Sequence, residues 1–139
     1  MYKSIGLSTL AGGITLFLLG ALFYAGILAD FFTAQTTDAG NAVMKSEPNM
    51  LGIAVGNLAL ALMLAIIYNR WANISTFQTG AIAGGVITFL MALSFDIIML
   101  STTTMMKPPA VVVDILVYTV MGAVAGGVIG LVLGRVKAM

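Results

Sequence analysis

Asp96 and Asp114 are the two residues of this 139-residue chain whose type and setting could do chemistry. Each interrupts an apolar run, Phe95-Asp96-Ile97-Ile98 and Val112-Val113-Asp114-Ile115-Leu116, and a carboxyl group surrounded by hydrocarbon needs a partner, a proton or a cation. Asp96 is the more anomalous, because the negative end of a helix dipole disfavours another negative charge there. Counting in fours places Gly80, Gly84, Thr88, Ala92 and Asp96 along one helix and Asp114, Tyr118, Gly122 and Gly126 along the next. Ridges at that spacing drift by about 40° per step. Packed together, they bring Asp96, Asp114 and Tyr118 to one mouth, a candidate cation or proton site. A purely structural reading competes with it. Asp96 could snorkel or pair with Lys107, and Asp114, after Pro108-Pro109, could simply favour the positive end of its helix.

Other chemistries are excluded by composition. The chain has no Cys and no His, which removes disulfides, thiolate nucleophiles, imidazole bases and the usual zinc or haem ligands. Ten methionines, among them Met44, Met50, Met99, Met105 and Met106, could offer thioethers to a soft metal. Without Cys or His beside them they read as flexible packing residues. No metal, no cofactor and no enzymatic activity are expected. An intramembrane aspartyl protease would need Tyr-Asp and Gly-x-Gly-Asp motifs, which Ser-Phe-Asp96 and Val-Val-Asp114 do not match. A net charge of +1 provides no basic face for nucleic acid.

The elements that must position these carboxyls are membrane spans. With 60% hydrophobic and 8% charged residues and a mean hydropathy of +1.10, so small a chain cannot hide its apolar residues from water. The lipid bilayer is its expected surrounding. Crossing about 30 Å of hydrocarbon takes roughly 20 residues of helix, and four stretches qualify, residues 5–28, 51–68, 79–100 and 110–133. The first exceeds a signal-peptide core and lacks a clear cleavage site, so it reads as a retained helix. Continuous runs rather than alternating ones favour helices over a barrel. The fold class predicted is all-α, a single four-helix transmembrane domain with one sizeable outer loop, 29–50. The short connections at 69–78 and 101–109 predict that spans two and three, and spans three and four, are antiparallel neighbours.

Charge orients the bundle. Lys3, Arg70, Arg135 and Lys137 fall on one side, and all five acids fall on the other with Lys45 and Lys107, a division of +4 against −3. The positive-inside rule then makes both termini cytoplasmic. Tyr68, Trp71 and Phe77 at the inner side, and Tyr24, Phe31 and Phe32 at the outer, read as interfacial aromatic belts.

Small residues recur at fourfold spacing: Gly52 and Gly56 in span two, Gly80 and Gly84 in span three, and Gly122, Gly126, Gly130 and Gly134 in span four. Such stripes let helix backbones approach closely in lipid. The four glycines of span four exceed what one neighbour needs, which leaves homo-oligomer contact as an alternative use. Asn57 reads as a hydrogen-bonding contact between helices. Residues 11–24 also align without gaps on 83–96, opening on Ala-Gly-Gly in both, so that Tyr24 falls opposite Asp96. The match points weakly to a duplicated hairpin.

Leu19-Gly20-Ala21-Leu22-Phe23-Tyr24, Asp30-Phe31-Phe32, Lys45-Ser46-Glu47-Pro48 and Trp71-Ala72-Asn73-Ile74-Ser75-Thr76-Phe77, with Asp96 and Asp114, resemble an uncharacterised family of small bacterial four-span membrane proteins, a domain of unknown function. The resemblance runs over nearly the whole chain and implies a bacterial inner (cytoplasmic) membrane, with no activity attached. Gly84-Gly85-Val86-Ile87-Thr88-Phe89 and Asp96 loosely resemble the third helix of the fluoride channels. The chain departs from these in lacking the repeated Thr-Phe element and an Arg in span one. The leading expectation is a nonenzymatic accessory or scaffolding subunit, or a small homo-oligomer. The alternative is an ion channel or proton-coupled transporter using the outer acidic site.

Overall fold

The computed structural model describes all 139 residues and contains helices without strands. The chain is an integral membrane protein with four spans, each somewhat longer than its apolar run: Tyr2–Ile27, Met50–Ala72, Phe77–Thr102 and Pro108–Ala138. The first is an α-helix, α1 (Tyr2–Gly20), continued by a π-helical segment, Ala21–Ile27. The segment 29–50 between the first two spans is not a plain loop, since it holds two short helices, α2 (Ala29–Gln35) and α3 (Asp38–Val43). The second span is α4 (Met50–Ile66) with a π-helical end, Ile67–Ala72. The last two are α5 (Phe77–Thr102) and α6 (Pro108–Ala138).

The starts and stops are local. The side chains of Thr37, Asn49 and Thr76 cap α3, α4 and α5 by accepting from the amides of Gly40, Gly52 and Thr79. Pro108 and Pro109 open α6, where a missing N–H costs nothing. Asn73, in the left-handed region at φ 50°, ends the second span, a conformation Asn tolerates better than most residues.

Antiparallel packing gathers Arg70, Arg135, Lys137 and both termini at one end, the basic end, and Asp96 and Asp114 toward the other, the acidic end. Only 27 of the 139 residues are buried, and side chains such as Leu18, Val55, Val86 and Leu116 stand exposed along the spans. Those faces meet lipid.

The order of the spans departs from the expectation drawn from loop length. α6 is central, packed on both α5 and α1, while α4 packs chiefly on α1. The second and third spans, though joined by a short turn, meet mainly near the basic end and diverge from there. The physical reason lies in side-chain size. Along α5 and α6 the backbones touch: a Cβ at Gly80 or Gly84 would strike the carbonyl of Gly126 or Gly122, and one at Gly122 would strike Thr88. A Cβ at Gly130 would meet the Thr76 carbonyl, and one at Gly134 that of Ser75. The four glycines of the α6 stripe, Gly122, Gly126, Gly130 and Gly134, are therefore all used by α5 and the segment before it.

Gly52 and Gly56, expected to pack, do not. A Cβ at Gly56 would meet nothing within 4 Å, and one at Gly52 only its own cap, Asn49. The glycines that seat α1 are Gly12, against Ile129 and Ala61, and Gly13, against Leu58. Where α4, α5 and α6 come together, Tyr68 is completely buried, its hydroxyl donating to the Gly80 carbonyl at 2.6 Å. With Leu16, Leu64, Ile129 and Leu133 it fills the half of the bundle nearer the basic end.

At the acidic end the two connections are stitched together. The Thr37 amide donates to the Met105 carbonyl (3.1 Å) and the Lys107 amide to that of Gln35 (3.0 Å). The Thr37 hydroxyl also lies against the Thr104 and Met105 carbonyls, and buried Gly40 sits where any Cβ would strike Met105.

Candidate functional site

Because α4 and α5 diverge from the Tyr68 crossing, a cleft of about 850 Å³ opens between them, with α1 and α6 as its back wall. Met44 and Pro48, from the segment ahead of α4, reach its edge at the acidic end. The walls are mostly apolar: Phe17 and Ala21 from α1 and its continuation, Met50 and Ile53 from α4, Met91 and Phe95 from α5, Met121 from α6. Asp96, Asp114, Tyr24 and Tyr118 enter the same cleft, and its only charged residues are the two aspartates.

The sequence-derived trio of Asp96, Asp114 and Tyr118 is thus brought to one place. Asp114 lies in the second turn of α6, six residues beyond Pro108, rather than in the first turn. Its Oδ1 accepts a hydrogen bond of 2.6 Å from the Tyr24 hydroxyl. Asp96 faces the same cleft and the same small cavity as Asp114, so its neighbour at the site is the other acid rather than Lys107, which lines neither. Asp96 Oδ2 is fully buried and receives no hydrogen bond from any donor in the chain. Two ionised carboxylates offer only acceptors, so the gap between them closes when a proton or cation sits there.

Tyr24, whose place in the sequence suits an interfacial belt, is instead a member of the site. Its position depends on the π-helical turn, where the Leu28 amide bonds back five residues to the Phe23 carbonyl at 2.8 Å. Such turns re-aim side chains and recur at functional sites. Phe32 of α2 stacks obliquely on the Tyr24 ring, centroids 5.2 Å apart, and holds it from the acidic end. The one sequence signal that could have found Tyr24 is the internal alignment that sets it opposite Asp96. Asn57, expected to bond between helices, lines the open cleft instead.

A second, smaller cavity of about 70 Å³ lies on the other side of the acid pair, lined by Asp96, Asp114, Thr103 and the three methionines Met99, Met105 and Met106. The carboxyls therefore stand between the wide cleft and a small space beneath the stitched connections. No group of three or more acidic, Cys or His side chains that could hold a metal is present. No family model matches the chain, and neither does any curated protein or solved structure.

Proposed function

We propose that the protein is a proton- or cation-coupled membrane transport protein whose exchange site is the Asp96–Asp114 pair, with Tyr24 and Tyr118 as its hydrogen-bonding surround. The observation that carries this reading is that two carboxyls line one wall of an apolar cleft together and share the small cavity behind it. Drawing two acids together in a low-dielectric setting costs stability, and helix packing alone has no use for it. The cleft is blind, since the core around Tyr68 fills the half toward the basic end. That favours binding and exchange over an open channel. A second reading, an accessory subunit or homo-oligomer, is favoured by Gly52 and Gly56, a small-residue face that no helix of this chain covers. Its signature is a stoichiometric partner on purification from native membranes.

Charge asymmetry orients the site: four basic residues at one end against a net negative charge at the other put both termini in the cytoplasm and the acid pair toward the outside. The resemblance to small bacterial proteins supports a bacterial cytoplasmic membrane. With no native Cys, single cysteines at Ser4, Ser46 and Ser75 report the orientation. In intact cells a membrane-impermeant thiol reagent should label Ser46→Cys and spare the other two. Labelling of Ser75→Cys without Ser46→Cys reverses the orientation.

Exchange itself is tested by infrared titration of the carboxyl bands of the parent, Asp96→Asn and Asp114→Asn proteins in lipid. Two acids that share a proton titrate as a pair. Replacing either should therefore change the titration of the one that remains. If each carboxyl titrates alone and ignores the loss of the other, the exchange site is refuted.

A further inference from the structure

The cleft is far larger than a proton or a bare metal ion requires. Its polarity is divided: both charges are negative and sit together on one wall, while aromatic, aliphatic and thioether groups make up most of the rest. We propose that the cleft binds a monovalent organic cation with an apolar body, the charge resting on Asp96 and Asp114 and the body lying among Phe17, Phe95, Met91 and Met121. The assignment of ligand class rests on the reading of the carboxyl pair as an exchange site.

Three observations fit this ligand. Asp96 Oδ2 is buried without any hydrogen-bond donor, so the carboxylate's charge is uncompensated within the chain and an opposite charge in the cleft beside it would stabilise it. Phe17 and Phe95 are placed on the same cleft, and aromatic faces attract cations that have been stripped of water. Methionine side chains adapt to ligands of differing shape. No basic residue lines the cleft, so an anionic amphiphile would leave its charge unpaired. A zwitterionic lipid fits worse than a simple cation, because its phosphate would lie beside the two carboxyls.

The titratable groups facing the bound charge are Asp96 from α5, Asp114 and Tyr118 from α6, and Tyr24 from the first span, while α4 contributes only neutral Asn57. Cation and proton therefore compete for the carboxyl pair. Loading the cation releases to solvent a proton that the pair held, and unloading takes one back.

Equilibrium dialysis of radiolabelled tetraphenylphosphonium against the protein in nanodiscs of phosphatidylcholine and phosphatidylglycerol tests the proposal. Saturable binding near one per chain is expected, weakened at least about tenfold between pH 8 and pH 5 by proton competition. Asp96→Asn and Asp114→Asn should each lose it. Should either variant fold poorly, Phe95→Ala and Ala25→Phe decide the matter, because both residues line the cleft and both are exposed. The first should weaken binding roughly threefold to tenfold, and the second, by filling the cleft, should abolish it with the carboxyl titration unchanged. Non-saturable uptake, or equal binding by the parent and Ala25→Phe, overturns the proposal. So does a copurifying phosphatidylethanolamine that the phosphonium cannot displace. A shared carboxyl proton without phosphonium binding defeats the ligand class and leaves the exchange site standing. Phosphonium binding with independently titrating carboxyls defeats the exchange site.

Discussion

Tyr68→Ala should destabilise the bundle by about 3 kcal/mol in reversible unfolding from mixed lipid–detergent micelles. The ring is completely buried at the crossing of α4 with α5 and α6. Its removal leaves a void whose far end, where the hydroxyl sat, is bounded by Gly80, Gly84 and Gly126, which have no side chains to relax into it. Part of the usual cost of a core deletion is absent, because the separated helices remain in hydrocarbon and regain no contact with water. What is lost is packing. Tyr68→Phe separates the ring from the hydroxyl. It forfeits one hydrogen bond to a carbonyl that already serves the helix, and about 1 kcal/mol or less is expected. Equal losses in the two variants would show that the hydroxyl, rather than the packing of the ring, holds the crossing.

Gly126→Leu should cost a similar amount, about 3 kcal/mol, at the upper end of overpacking. Any Cβ at Gly126 would stand 2.9 Å from the Gly84 Cα and 2.6 Å from the Tyr68 hydroxyl, besides striking the Gly80 carbonyl. Two of those three obstacles are backbone, so the helices must separate. Gly56→Leu is the matched control: it sits in an equally regular glycine pair, faces open space, and should change the unfolding free energy by no more than about 0.5 kcal/mol. The contrast tests whether a small-residue stripe packs because of its spacing or because of what faces it. If both variants unfold like the parent, the α5–α6 crossing is not the close contact described.

That contrast also marks how far the sequence reaches. Four spans are legible from composition and run length, because hydrocarbon leaves a backbone few options and each span satisfies its hydrogen bonds within itself. Asp96 and Asp114 stand out as candidate site residues for the same reason, since a carboxyl in an apolar run is anomalous wherever the run goes. The close α5–α6 crossing follows from the fourfold ridges, because glycines on two helices joined by a short turn find each other. The same spacing in Gly52 and Gly56 means nothing within this chain, because periodicity specifies a face and not its neighbour.

Which spans touch was decided only in three dimensions. α6 takes the centre because its glycines admit α5 on one side while Ile129 and Met121 receive α1 on the other, and α4 is left to diverge from α5. The cleft is a consequence of that divergence, and no local pattern encodes it. Tyr24 joins Asp114 across 90 residues of sequence, through a π-helical turn whose registry depends on what packs against it. Sequence therefore determined the spans and the anomalous charges, each a property of a residue in its own stretch of helix. Tertiary structure decided the partner of each charge and the space beside it, because both depend on distances between helices that in lipid are set by the fit of one surface against another.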